Sequence, residues 1–277
     1  MTDAFELGPA LLFCPADRPD RFAKALERAD AVIIDLEDAV DVAARPAARS
    51  ALAADALERE RVIVRVNPVG TSDFGPDLDA VLECGYRTVM LPKTGSREDV
   101  DALAARAHRL RVIALCESAA GIASAGRIAQ APNVVALMWG AEDLVASLGG
   151  TSSRFPDGRY RAVAQHARSA VLIAAGSAGK AAIDTVHLDI SDRTGLAAEA
   201  EDAVASGFTA TACIHPSQVQ VIRDAYLPAA AEVSRARAIL AAAAEHAGVF
   251  RLGDLMVDAP VLRHAEAVVR RSHRRAT

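Results

Sequence analysis

Eight short apolar runs recur along the chain, each followed by a segment of helical length, and no other feature of the sequence restricts the fold as tightly. They span residues 11–14, 31–36, 61–66, 87–91, 112–116, 134–139, 182–188 and 209–214. Runs without polar alternation predict strands buried on both faces. Strand–helix alternation demands a parallel sheet with right-handed crossovers. Eight such units, with no GxGxxG or Walker motif, predict an α/β chain closed into a (β/α)8 TIM barrel with extra C-terminal helices. Residues 1–225 are assigned to the barrel and 226–277 to a helical extension. The longest insertion, 140–180, opens with the Gly-, Ser- and Arg-rich stretch LGGTSSRFPDGRY and continues into a helix expected around 160–175. Because barrel active sites lie on the loops after strands, this insertion is a candidate substrate-binding element.

Composition excludes several classes. Hydrophobic residues make up 52% of the chain, yet charged residues interrupt every segment before it reaches the length of a membrane span. A net charge of −5 argues against nucleic acid or an anionic membrane as partner. The N-terminus lacks a basic stretch followed by a full apolar one, so a cytoplasmic location is expected. Cys14, Cys84, Cys116 and Cys213 lie far apart with no CxxC pair, and are read as reduced core thiols.

The chemistry gathers where the strands end. Asp17 and Arg18, Glu37 and Asp38, Arg65 and Asn67, Lys93, Glu117, Glu142 and Asp143, Asp189, and His215 follow the successive runs. Polar groups collected at one end of every strand make a site in a barrel. Any single acid among them could instead cap or precede a helix, a reading that suits Glu142 and Asp189. Arg65 does not fit it, since a guanidinium at a buried strand end must find an anion. Glu117 and Asp143 close neighbouring strands, and two converging carboxylates completed by water and substrate are what Mg²⁺ prefers. His215 and Trp139 are read first as structural, the one tying a loop before Pro216 and the other packing the barrel end.

The segments LFCPADRPDRFAKAL, ADAVIIDLEDAV, VIVRVNPVGT, VMLPKTGS, VIALCESAAGI, MWGAEDLVASLGG, IDTVHLDISDRTGL, CIHPSQ and MVDAPVLRHAE resemble the citrate lyase β-subunit-like proteins of the HpcH/HpaI aldolase group. Relatives in that group include malyl-CoA, citramalyl-CoA and β-hydroxyacyl-CoA lyases. The resemblance implies a Mg²⁺-dependent barrel, with Mn²⁺ as the alternative metal, usually a homotrimer, that breaks or makes a carbon–carbon bond beside an acyl thioester. It implies Glu117 and Asp143 as metal ligands, and Arg65 as the contact to a keto-acid or thioester oxygen. Glu37 and Asp38 become acids near the metal waters. Asp258 becomes an acid/base that reaches a neighbouring subunit's site; a loop acid before Pro260 is its other reading. Arg18 and the Gly140-Ala141-Glu142 turn would line the substrate and CoA, although a surface ion pair explains Arg18 nearly as well. The chain departs from the pattern at Ala120, where relatives often place an arginine, and at Ala210-Thr211, where many carry Gly-Lys.

The expected reaction is therefore retro-Claisen cleavage of a β-hydroxyacyl-CoA of the citramalyl, malyl or 3-hydroxy-3-methylglutaryl type to acetyl-CoA and a keto acid. Three alternatives stand beside it. One is a citrate lyase β subunit acting on a citryl thioester within a complex, another a pyruvate-enolate hydroxy-oxo-acid aldolase. The third is malate synthase- or thioesterase-like chemistry.

Overall fold

The computed structural model describes residues 5, 7–53, 57–246 and 248–273. Two compact units make up the chain, Met1–Ile222 and Arg223–Thr277. The first is a closed barrel of eight parallel strands: β1 (Ala10–Pro15), β2 (Ala31–Asp35), β3 (Val62–Arg65), β4 (Thr88–Leu91), β5 (Arg111–Cys116), β6 (Val134–Trp139), β7 (Ala181–Asp184) and β8 (Ala210–Cys213). Each strand pairs with its neighbour in sequence, and β1 closes on β8 through Leu12↔Cys213.

Strand alternation decides what faces the barrel axis. Leu11, Ile33, Ile63, Met90, Ile113, Leu115, Ala136, Met138, Ile183 and Ala212 share one buried cluster that fills the interior. Continuing the same parity by one step brings Asp35, Arg65, Glu117 and Gly140 onto the inner side, above the apolar layer at the C-terminal end. The opposite parity faces the surrounding helices. Trp139 and Asp184 belong to it, so the tryptophan lies in the layer between barrel and helix, fully buried.

The seventh run is shorter than its apolar composition suggests. Strand β7 ends at Asp184 rather than at residue 188, and Thr185 to Asp192 form a loop. The helix expected around 160–175 spans Ala162–Ser177, and Tyr160 sits before it in an isolated antiparallel bridge to Arg154. Loop and helix thus divide where Arg154 and Tyr160 pin the insertion.

In the second unit, helix Ala230–Ala243 packs against helix Ala259–His273, with Ala236, Ile239, Ala265 and Val268 in their own small core. Between them Phe250–Leu252 and Leu255–Val257 pair as an antiparallel hairpin. Gly253, at φ +60°, supplies its left-handed corner. All four cysteines are buried, and none is in a disulfide. Burial pushes the Cys14 thiol up to about 11 and the Cys116 thiol up to about 12, which removes both as nucleophiles at neutral pH.

Candidate active site

Glu117 is the first residue past β5, on its inward parity, and is almost wholly buried. Its Oε1 accepts a hydrogen bond from the backbone N–H of Lys93 at 2.9 Å. Lys93 sits at φ +50°, a left-handed conformation uncommon for a residue with a side chain, and this turn aims its N–H at the carboxylate. The turn is wedged from behind. A Cβ on Gly121 would lie 2.4 Å from the Thr94 carbonyl oxygen, so only glycine lets helix Ala119–Ala129 approach so closely.

On the other flank, a Cβ on Gly140 would lie 2.9 Å from both Cβ and Oε2 of Glu117. Burial, and then the negative charge of Asp143, push the Glu117 carboxyl up to about 8. Asp143 lies in the first turn of helix Ala141–Ser147. A buried carboxylate with a second, half-buried one close enough to repel it calls for a cation. Among the described residues no three His, Cys, Asp or Glu side chains gather as a metal cage. An ion held by Glu117 and Asp143 must then complete its shell with water and substrate, which suits Mg²⁺ and an open catalytic site. The residues present fit that metal.

Arg65 finds its anions within the protein. Its Nε and one terminal nitrogen form a bidentate pair with Asp35 at 2.7 and 2.6 Å. The other, NH1, pairs with Glu37 Oε2 at 3.1 Å without the alignment of a hydrogen bond, and lies 3.8 Å from Asp38. Burial would lower the guanidinium, but Asp35, then Glu37 and Asp38, outweigh it and hold Arg65 above its ordinary value. Glu37 is pushed upward by burial against the pull of Arg65 and Lys93. Lys93 Nζ bonds Glu37 Oε1 at 2.5 Å. Glu37 Oε2 is left as a buried acceptor without a donor, an oxygen suited to a metal-bound water. Sequence reasoning missed Asp35, because the acid lies within an apolar run and reads as strand body; it named Lys93 at a strand end but not the role of its main chain, whose N–H holds Glu117.

Other strand-end residues do structural work in this chain. Asn67 bridges the Leu36 carbonyl and buried Asp77, which also bonds Arg49. His215 Nδ1 accepts from the Ser217 N–H at 3.2 Å and precedes helix Pro216–Tyr226. Asp189, expected at a strand end, is a turn acid accepting from Ser191 and Asp192, because β7 stops five residues earlier. Arg18 forms an exposed pair with Asp20. Exposed Glu142 accepts from the Ser153 hydroxyl and ties down the long insertion. Asp258, in the second unit, accepts from the Val261 N–H at 3.1 Å and caps the helix that follows.

A second, half-buried polar network, formed by the long insertion, the loop after β7 and helix Arg193–Ser206, was not foreseen. Arg154 packs over the Tyr160 ring and bonds Glu199, which also takes a 2.9 Å contact from His187 Nδ1. The bond to Glu199 raises the His187 pKa against the opposing effects of burial and Arg154, while Asp192 adds a favourable charge at 3.4 Å. A raised histidine pKa contributes stability that is full below the unfolded value of about 6.5 and is lost as pH rises through the folded value. His187→Gln should therefore cost about 1.5 kcal/mol at pH 6. The gap from wild type in urea unfolding should shrink steadily toward pH 9; a gap independent of pH would contradict the charged pair.

A parallel barrel with converging acids and a buried arginine at its C-terminal mouth is the architecture of a metal-assisted barrel enzyme. Sequence comparison places it more closely. The chain belongs to the HpcH/HpaI aldolase/citrate lyase family, whose model matches residues 10–216, and it is an enzyme of that lyase family. A model of carbon–carbon bond lyases of the TIM-barrel fold matches residues 159–274. A citrate lyase subunit beta-like protein of Mycobacterium tuberculosis is 53% identical over 265 residues, 96% of each chain. A (3S)-malyl-CoA thioesterase of Cereibacter sphaeroides is 31% identical, covering 95% of this chain and 92% of its own. The crystal structure of CitE from M. tuberculosis with magnesium, acetoacetate and coenzyme A superposes with a TM-score of 0.88 at 52% identity, over 98% of this chain and 99% of that one. No helix among the described residues is long and apolar enough to cross a membrane.

Proposed function

We propose that this chain is a Mg²⁺-dependent lyase of acyl-CoA esters that cleaves a β-hydroxyacyl-CoA of the citramalyl, malyl or 3-hydroxy-3-methylglutaryl type to acetyl-CoA and a keto acid. The observation that carries the reading is Glu117, buried and held between Lys93 and Gly140 with Asp143 raising its carboxyl. The magnesium and coenzyme A bound by the M. tuberculosis relative support the same assignment. When bound, Mg²⁺ would supply Lewis-acid polarisation of the substrate oxygens. Arg65 NH1 is the donor left for a keto-acid or thioester oxygen, since Asp35 occupies the rest of the guanidinium face. Glu37, kept beside Arg65 and Lys93, orients water at the site. Asp258 of a neighbouring subunit in a homotrimer would return the proton to the thioester α-carbon after the bond breaks.

The test is product analysis with purified protein, MgCl₂ and citramalyl-, malyl-, citryl- and 3-hydroxy-3-methylglutaryl-CoA. Acetyl-CoA and a keto acid in equal amounts from one ester are expected. Asp258→Asn keeps a helix-capping side chain but not the acid, so it should lose at least 10²-fold in rate with little loss of stability. The relative named as a malyl-CoA thioesterase favours one second reading, hydrolysis of the thioester by water. Free thiol with no keto acid would select it and overturn the lyase.

A further inference from the structure

Trp139, the only tryptophan in the chain, is fully buried at the end of β6, immediately before the glycine that abuts Glu117. Its indole lies on the outer parity of the strand, behind the site. Nε1 donates to Asp184 Oδ1 at 2.6 Å, a short bond to a buried carboxylate. Asp184 closes β7 and is itself clamped by Arg168 of helix Ala162–Ser177, at 3.1 Å from Nε and 2.8 Å from a terminal nitrogen. It also accepts from the Thr185 N–H at 3.0 Å. Tyr160 packs edge-on against the indole, with ring centroids 5.3 Å apart.

Core packing needs a large apolar side chain here, and phenylalanine would supply one. It does not need an aspartate and an arginine placed behind the ring in a desolvated layer, an arrangement costly to bury unless it fixes something. What it fixes is the direction of the backbone leaving β6. Gly140 follows Trp139 directly, its missing Cβ is the space Glu117 occupies, and the helix bearing Asp143 begins one residue later. A tilt of the indole would move Gly140 against one carboxylate and carry the other with it.

We propose that Trp139, locked by Asp184 and Arg168, is a positioning residue that sets the separation of Glu117 and Asp143 and so tunes metal affinity. The inference rests on the metal reading above. It predicts that Trp139 emission changes saturably as MgCl₂ is added to the full chain, and that Glu117→Gln abolishes the change. Asp184→Asn and Trp139→Phe should each weaken Mg²⁺ binding about tenfold in calorimetric titration, within the range seen when outer partners of metal ligands are removed. The double variant should be no weaker than either single one, because both cut the same link. Trp139→Phe keeps an aromatic ring but removes three heavy atoms along with the N–H, so its unfolding temperature is read beside its affinity, and it carries the test if Asp184→Asn folds poorly. A wild-type chain that binds no Mg²⁺ overturns the metal reading and this inference together. Wild-type binding lost in Glu117→Gln but unchanged in both other variants, even with lowered unfolding temperatures, leaves the metal reading standing and overturns the positioning role alone.

Discussion

Glu117→Gln is expected to lower Mg²⁺-dependent turnover by roughly 10³-fold while leaving the metal-free protein at least as stable as wild type. The first half follows from what a Lewis acid contributes, several kcal/mol of transition-state charge stabilisation, with each ~1.4 kcal/mol worth a factor of ten. The second follows from the site. Glutamine keeps the shape and the carbonyl acceptor for the Lys93 N–H, and it removes a buried carboxyl that burial and Asp143 push up to about 8. Such a group opposes the metal-free fold at neutral pH. Thermal unfolding separates the effects. Mg²⁺ at 100 times its Kd should stabilise wild type by about 2.7 kcal/mol, a shift of roughly 5–10 °C in a chain of this size, and should leave Glu117→Gln unmoved. An equal magnesium shift in both proteins would place the metal elsewhere.

The relation of sequence to site explains which residues were legible. Eight apolar runs gave the barrel, because strands buried on both faces can be read without any partner being known. Glu117 and Arg65 stood out for the same reason: each interrupts or ends such a run. Asp184 shows the limit. It sits inside the run AIDTVHL, and reading the strand through to residue 188 hid both the acid and its loop. An acid within an apolar run was the available signal, since a buried carboxylate must have a donor, but its donors Trp139 and Arg168 are 45 and 16 residues away. Lys93 shows another limit, because its backbone N–H and left-handed turn, more than its side chain, hold Glu117. Asp258 is visible in its own chain as a helix cap, while the role the resemblance gives it concerns a neighbouring subunit.

Arg65→Met should be the most destabilising single change at the site, by about 3–5 kcal/mol. Methionine fills much of the volume but removes the charge that faces Asp35 and Glu37, each only 2% exposed. Asp35 would keep two backbone donors, from Glu37 and Ala39, and lose both side-chain bonds. Glu37 would retain only Lys93, whose side chain is 40% exposed and so partly screened by water. Breaking a buried pair on one side costs more than removing both partners, so Asp35→Asn in the Arg65→Met background should recover part of the loss. Urea unfolding of the two single variants and the double gives the coupling directly. Turnover should not recover with stability, because the double variant still lacks the donor assigned to the substrate oxygen. If catalysis returned along with the fold, Arg65 would be a structural counter-ion to Asp35 and nothing more.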